Sequence, residues 1–205
     1  MRLGTIAHKD IAASGEVLPS MLNYNFCNSR SCFLLALFLY SRRFRKNTGD
    51  VKGECLNLEE LIPSGAVNLN LTAEKEHEVL DELAHLIVGQ PGLPTNAQLL
   101  SAIFNRELEY EAAVGSGVAI PHLMLAGTDK PILAVGRSDK PIPFGKKHSA
   151  DVRLFFLLIS PVDDHHIHLR TISKIARLVN DKAVRDSLLA VKDVKALRRI
   201  ISVHG

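Results

Sequence analysis

The segment Val114-Gly-Ser-Gly-Val-Ala-Ile-Pro-His122 sets two glycines ahead of a short apolar run and ends it on a proline followed by a histidine. Glycines at 115 and 117 admit backbone conformations closed to other residues, so successive N–H groups there can approach an anion. An ordinary turn asks for the same glycines. Ile120 is driven to an extended conformation because it precedes proline, and Pro121 fixes its own φ and has no N–H to give to a ladder. The segment is predicted to be a strand that stops abruptly with an imidazole at its tip. A neutral imidazole keeps a lone pair on one ring nitrogen at pH 7, which makes it a nucleophile, and a phosphoryl group is one electrophile that it accepts reversibly. Such a transfer asks for alignment and charge stabilisation more than for covalent help from other groups.

Other chemistry-bearing residues are grouped at Asp163-Asp-His-His-Ile-His168 and at Asn105-Arg106-Glu107. Imidazole and carboxylate are both metal ligands. However, His166 and His168 are two residues apart and project differently at the start of a helix, and no second ligand pair with a clear spacing exists, so neither a metal nor a cofactor is expected. His165 and His166 read as solvated loop residues, and His77 and His85 as helix-surface residues. Arg106 either reaches out of its helix toward an anion or closes that helix's own dipole.

Periodicity supplies the elements that must position these groups. Val67-Asn-Leu-Asn-Leu71 alternates apolar with polar and predicts a half-buried strand, followed by Thr72 as a helix N-cap with Glu74 in the first turn. Val79, Leu80, Leu83, Ala84 and Ile87 make one helical face that runs to about Val88, where Gly89 and Pro91 end it. Thr95 or Asn96 opens a second helix through Leu99, Leu100, Ile103 and Phe104 to about Leu108. Two apolar runs, 131–135 and 152–159, the second closed by Ser160-Pro161, suit strands covered on both faces. Leu169, Ile172, Ile175, Ala176 and Val179 form a further helical stripe. Asn180 and Asp193 are the candidate caps of two short terminal helices that carry Leu188, Leu189, Leu197, Ile200 and Ile201. Helices interleaved with buried strands imply an α/β fold, a single-domain mixed β-sheet flanked by helices on both faces.

Charge divides the chain of 205 residues, because residues 1–52 hold 8 Lys+Arg against 3 Asp+Glu whereas the remainder is slightly acidic. A nucleic-acid binder would carry a basic stripe with interleaved aromatics on its folded face; the body has neither, and no nucleic-acid partner is expected. Cys27, Cys32 and Cys55 all precede the periodic region, and their odd number and unpaired spacing argue against a disulfide framework and for a reducing cytoplasm. The apolar run 32–40 is too short to span a bilayer, which takes roughly 18–20 residues. The basic residues Arg42, Arg43, Arg45 and Lys46 follow it, the wrong order for a signal peptide. Residues 33–46 are the one candidate for membrane contact, as an interfacial anchor. The organisation expected is an irregular basic extension over 1–53 and a folded domain over 54–205.

Gly117-Val-Ala-Ile-Pro-His122 resembles the phosphorylation-site signature of the enzyme IIA components of the bacterial phosphoenolpyruvate-dependent phosphotransferase system, in the fructose, mannitol and nitrogen-regulatory class. The likeness extends over about 56–203. Arg106-Glu107 resembles that family's Arg-Glu at the end of the preceding helix, segments 139–144 and 154–161 resemble those that follow, and His168-Leu169 matches a second histidine opening the next helix. The resemblance implies that His122 is the phosphorylated residue and that His168 and Arg106 are pocket groups for phosphoryl oxygens, with Gly115 and Gly117 offering backbone approach. It further implies a donor, the histidine-containing phosphocarrier protein, and an acceptor, either a sugar-specific enzyme IIB or a regulated target protein. The absence of a fused IIB or IIC segment tilts this expectation toward the nitrogen-regulatory branch. The competing expectation is a degenerate IIA-like binding module that docks on partners without phosphate turnover. Two departures stand out: Leu123-Met124-Leu125 replaces the small or polar residue and arginine that often follow the histidine, and Ala113-Val114 stands where a threonine usually precedes the glycines. Because residues 1–53 carry the excess charge and lack periodic caps, deleting them is expected to spare both phosphorylation and most of the stability. A thermal melt of residues 54–205 beside the full chain checks this, and a fall of many degrees would show that the extension is packed on the domain.

Overall fold

The structure is a computed structural model that describes residues 56–109, 113–145 and 150–205. The expected boundary at residue 53 and the segment 33–46 lie outside the described residues. Six strands form one mixed sheet: β1 (Val67–Asn68), β2 (Ala113–Gly115), β3 (Val118–Ala119), β4 (His122–Leu125), β5 (Ile132–Phe144) and β6 (Ala150–Pro161). Their order is β1-β5-β6-β3-β2, and β4 continues along β6 beyond β3. The β5–β6 pair is antiparallel, whereas β1 joins β5, and β3 and β4 join β6, in parallel. Among the described residues five α-helices flank it: α1 (Glu76–Ile87), α2 (Asn96–Glu109), α3 (His165–Asn180), α4 (Lys182–Ala190) and α5 (Val194–His204).

Strand alternation assigns the helices to the two faces. A Cβ built on Gly136 would lie 2.8 Å from side-chain atoms of both Leu71 and Leu83, so the even positions of β5 face α1. Arg137 points the other way and donates to the carbonyls of Leu189 and Val191, between α4 and α5. The sheet is covered on both sides, which is why Leu154 to Ile159 form a continuous run with no exposed position. Complete burial of leucines such as Leu80 and Leu83 of α1 contributes about 1.5–3 kcal/mol each.

Several boundaries differ from those expected, each for a local reason. β1 stops at Asn68 because that side chain accepts from the Asn70 N–H, turning the chain before Leu71 docks on the Arg137 carbonyl. Thr72 does not cap α1. Its hydroxyl and backbone N–H both donate to Glu82, which also takes the Ala73 N–H, and the helix begins only after Lys75. Glu78 covers the start instead, accepting from Glu74 and Lys75, and the Glu74 N–H in particular holds its carboxyl below the ordinary value. α4 is capped by Asp181 rather than Asn180, since the Asp181 carboxylate reaches the N–H groups of Ala183 and Val184. Asp193 caps α5 as expected, accepting from Ala196 at 2.8 Å. β5 runs well past the apolar stretch because Asp139, Lys140 and Pro141 sit on an exposed, irregular section that breaks register between Arg137 and Ile142 without ending the strand.

Two arginines tie distant segments to this frame. Arg198 of α5 donates to Glu59 and to the carbonyls of Ile62 and Pro63, fixing the first described turn. Arg137, only 8% exposed, donates to the Leu69 carbonyl at 3.0 Å as well as to Leu189, Val191 and the largely exposed Asp139. One guanidinium thus joins β5, the segment after β1 and the α4–α5 connection. Arg137→Ala would leave three carbonyls without their charged donor, and an unfolding free energy about 3 kcal/mol below the parent is expected from urea titration.

Candidate functional site

The site is built where the chain leaves β3, passes Ile120-Pro121 and re-enters the sheet. Ser116 and Gly117 both have positive φ, 55° and 77°, the combination that lets a two-residue turn join antiparallel β2 and β3. The Gly117 carbonyl then accepts from the N–H groups of Arg153 and Leu154 on β6. Pro121 donates nothing, but its carbonyl accepts from Leu158 at 2.9 Å and so carries the chain back onto β6. His122 is consequently the first residue of β4, paired with Leu158, and not the last residue of a strand as the sequence suggested. The proline breaks the ladder for two residues without ending it.

The His122 ring is half-buried, with Nδ1 2.8 Å from the Ile120 carbonyl. A carbonyl only accepts, so this contact places the proton on Nδ1 and the lone pair of the neutral ring on Nε2. His168 comes from the first turn of α3 and is 5% exposed. Its ring centroid lies 5.5 Å from that of His122 with the planes tilted by 51°. Asp164 sets the approach of α3: its carboxylate accepts from the Ile167 N–H at 2.8 Å and its carbonyl from the His168 N–H at 3.3 Å. Leu123, Met124 and Leu125 are half-buried along β4, and Val162 and Leu169 expose apolar surface beyond them.

The other site expectations are placed differently. Arg106 lies in the last turn of α2, a helix that packs along β4; its side chain is outside the described residues. The glycines are not brought to the imidazole. Gly117 lies beside Arg153 on β6 and His122 beside Leu158, five residues further, or about 16 Å at strand spacing. Their observed work is to shape the β2–β3 turn. His165 and His166 are exposed at the start of α3, and the side chains of His77 and His85 are 63% and 56% exposed on α1. A cleft of about 410 Å³ between α1 and α2, lined among others by Glu78, Glu82, Leu100 and Phe104, shares no residue with the histidine pair. Among the described residues no cluster of three or more His, Cys, Asp or Glu side chains could hold a metal ion. Sequence reasoning overlooked Asp164, although an Asp four residues before the first buried position of an amphipathic helix is a recognisable cap signal.

Fold and site together define a mixed α/β domain that holds two imidazoles against each other where one strand re-enters the sheet. Residues 60–203 match the family described as "Phosphoenolpyruvate-dependent sugar phosphotransferase system, EIIA 2". The nitrogen regulatory protein of Pseudomonas aeruginosa is 31% identical over 148 residues, which cover 71% of this chain and 95% of that one. The fructose-specific EIIABC component of Bacillus subtilis is 26% identical over 149 residues, but this chain spans only 24% of its length. Among solved structures, the nitrogen regulatory protein IIA-Ntr from Neisseria meningitidis superposes with a TM-score of 0.65 at 28% identity, covering 70% of this chain and 98% of that one. The chain belongs to the EIIA type 2 family and is in that sense a component of phosphotransfer. Among the described residues no helix is long and apolar enough to cross a membrane.

Removing the cap of α3 tests how far the second imidazole depends on it. Asp164→Ala is expected to lower the unfolding free energy by about 1 kcal/mol and to move the His168 ring resonances more than those of His204. Urea titration and imidazole NMR measure the two effects.

Proposed function

We propose that this chain is a phosphocarrier in which Nε2 of His122 accepts a phosphoryl group from the histidine-containing phosphocarrier protein. The observation that carries the reading is the contact of His122 Nδ1 with the Ile120 carbonyl, because it directs the nucleophilic lone pair to the ring's other nitrogen beside a second imidazole. In the step, the Nε2 lone pair forms a bond to phosphorus while the P–N bond to the donor's imidazole breaks. The electron pair of the broken bond returns to the donor ring. Little covalent help is needed, so the surrounding groups act by alignment and charge.

His168 has the position for such a role. It sits beside the His122 ring in the first turn of a helix of 16 residues, where the helix dipole favours negative charge, and a ring N–H there can donate to a phosphoryl oxygen. Arg106 is assigned the second oxygen, on the strength of the packing of α2 along β4 and of the resemblance of Arg106-Glu107 to the family's Arg-Glu. Val162 and Leu169, exposed at the end of β6 and the start of α3, offer the donor apolar surface from which water is easily displaced. The nitrogen-regulatory branch is preferred over the sugar-specific one, since the nitrogen regulatory protein is 31% identical to this chain against 26% for the fructose-specific component. The acceptor is then either an enzyme IIB or a protein regulated by docking.

In a reconstituted system charged from phosphoenolpyruvate, His122→Ala is expected to take no acid-labile phosphate. Phosphohistidine found on that variant by mass spectrometry would refute the assignment. Arg106→Ala and His168→Ala should keep the parent's circular dichroism and transfer about 10²-fold more slowly, as when a charge-assisted contact to a transferring group is lost. Parent rates in both variants would leave His122 alone in the mechanism.

A further inference from the structure

Ser160 lies on β6 with no exposure, and its hydroxyl has no hydrogen-bond partner among the described residues. A buried hydroxyl without a partner is disfavoured relative to an apolar side chain of similar size, so such a group points to a partner that it meets in another state of the protein. Strand register says which layer it occupies. On the parallel pair β4–β6, His122 is matched with Leu158 and Met124 with Ser160, so these four side chains lie on one face of the sheet. That face is the one covered by α3, α4 and α5, as Arg137 shows by reaching Leu189 and Val191 from β5 position 137, a residue whose parity matches Leu133 opposite Leu158. Ser160 and His122 are diagonal neighbours across the two strands, about 7–8 Å apart at Cα. The first turn of α3 begins four residues after Pro161 and carries His168, which is buried over this same strand end with its ring against His122.

We propose that Ser160 is a positioning residue for His168, its hydroxyl hydrogen-bonding the imidazole nitrogen turned away from the phosphoryl group. A hydroxyl suits the place because it both donates and accepts. When His168 is neutral and donates one N–H to a phosphoryl oxygen, its other nitrogen is an acceptor and takes the Ser160 O–H. When the ring is protonated, that nitrogen becomes a donor and the Ser160 oxygen accepts. The partner at one nitrogen determines which tautomer the ring adopts and where its other N–H points. Ser160 therefore does not touch the transferring group; it aims the side chain that does.

This inference rests on the phosphocarrier reading, and its test separates the two. Full-length parent, Ser160→Ala and Ser160→Cys are compared by imidazole 15N NMR, by the rate of labelling from the phosphorylated histidine-containing carrier, and by thermal melting. Both substitutions remove a strong hydrogen-bonding group while keeping the site apolar and small, and Cys also keeps the volume. The expected result is a melting temperature equal to or above the parent's, a shift of the His168 nitrogens towards the other tautomer, and labelling of His122 slowed about tenfold. Unchanged His168 nitrogens in both variants, or labelling at the parent rate, would overturn the role. If the parent itself takes no label, the phosphocarrier reading fails, and the NMR comparison still decides for or against the contact between Ser160 and His168.

Discussion

The site depends on one constraint, the two-residue break at Ile120-Pro121. A strand with an ordinary residue at 121 would offer an N–H where Pro121 has none, and nothing would require the ladder to open beside the imidazole. The break costs the sheet few hydrogen bonds because the Pro121 carbonyl still accepts from Leu158. It leaves the Ile120 carbonyl turned toward His122 Nδ1, and that contact sets the tautomer of the ring. The same re-entry pairs His122 with Leu158, which puts the imidazole on the face that α3 covers. Local sterics, ring chemistry and sheet face thus follow from one proline.

What holds the break in place is β6, which contacts β5 along one edge and β3 and β4 along the other. Its residues from Leu154 to Ile159 are entirely buried, so the strand that receives the imidazole has no freedom to shift register without exposing or clashing a full row of side chains. Arg137 adds a polar clamp on the same face, linking β5 to the α4–α5 connection. The interior is tightly packed, and the two imidazoles sit at its rim, where the Asp164 cap orients the start of α3. This division resembles that of other layered α/β domains, in which function collects at strand ends and helix starts on a fixed scaffold.

The layered fold was legible because burial on both faces writes itself as apolar runs, and the helical stripe at 79–87 carried the correct face; that at 169–179 held for Ile172, Ile175 and Val179, whereas Leu169 is exposed and His168 is buried instead. The break in the strand beside His122 was legible from Pro121, and the Asp193 cap from its isolated position ahead of an apolar stripe. The failures share a cause: a residue's local signal was outcompeted by a partner distant in sequence. Thr72 has the chemistry of a cap but gives its hydroxyl to Glu82, ten residues on. The strand expected over 131–135 runs on through Arg137 because only the tertiary fold supplies the carbonyls at 69, 189 and 191 that make a buried charge there tolerable. The glycines carried two meanings, anion approach and turn, and only the pairing of β2 with β3 shows the second. Ser160 read as punctuation beside Pro161; that it faces the histidine layer is a matter of register, which no local pattern encodes.

The apolar run after His122 can now be placed within this scheme. In β4 the side chains of Leu123 and Leu125 lie on the face opposite His122, since alternate residues point to opposite sides of a strand, and both pack partly against the core. That packing anchors β4, which is short and, among the described residues, pairs with β6 alone. On the proposed reading, the positive charge needed at the transferring group comes from Arg106 in the last turn of α2, a helix that packs against α1 and β4. A firmer strand and a more distant cation are compatible, because alignment of the nucleophile and neutralisation of the phosphoryl oxygens are separate requirements that separate elements can meet.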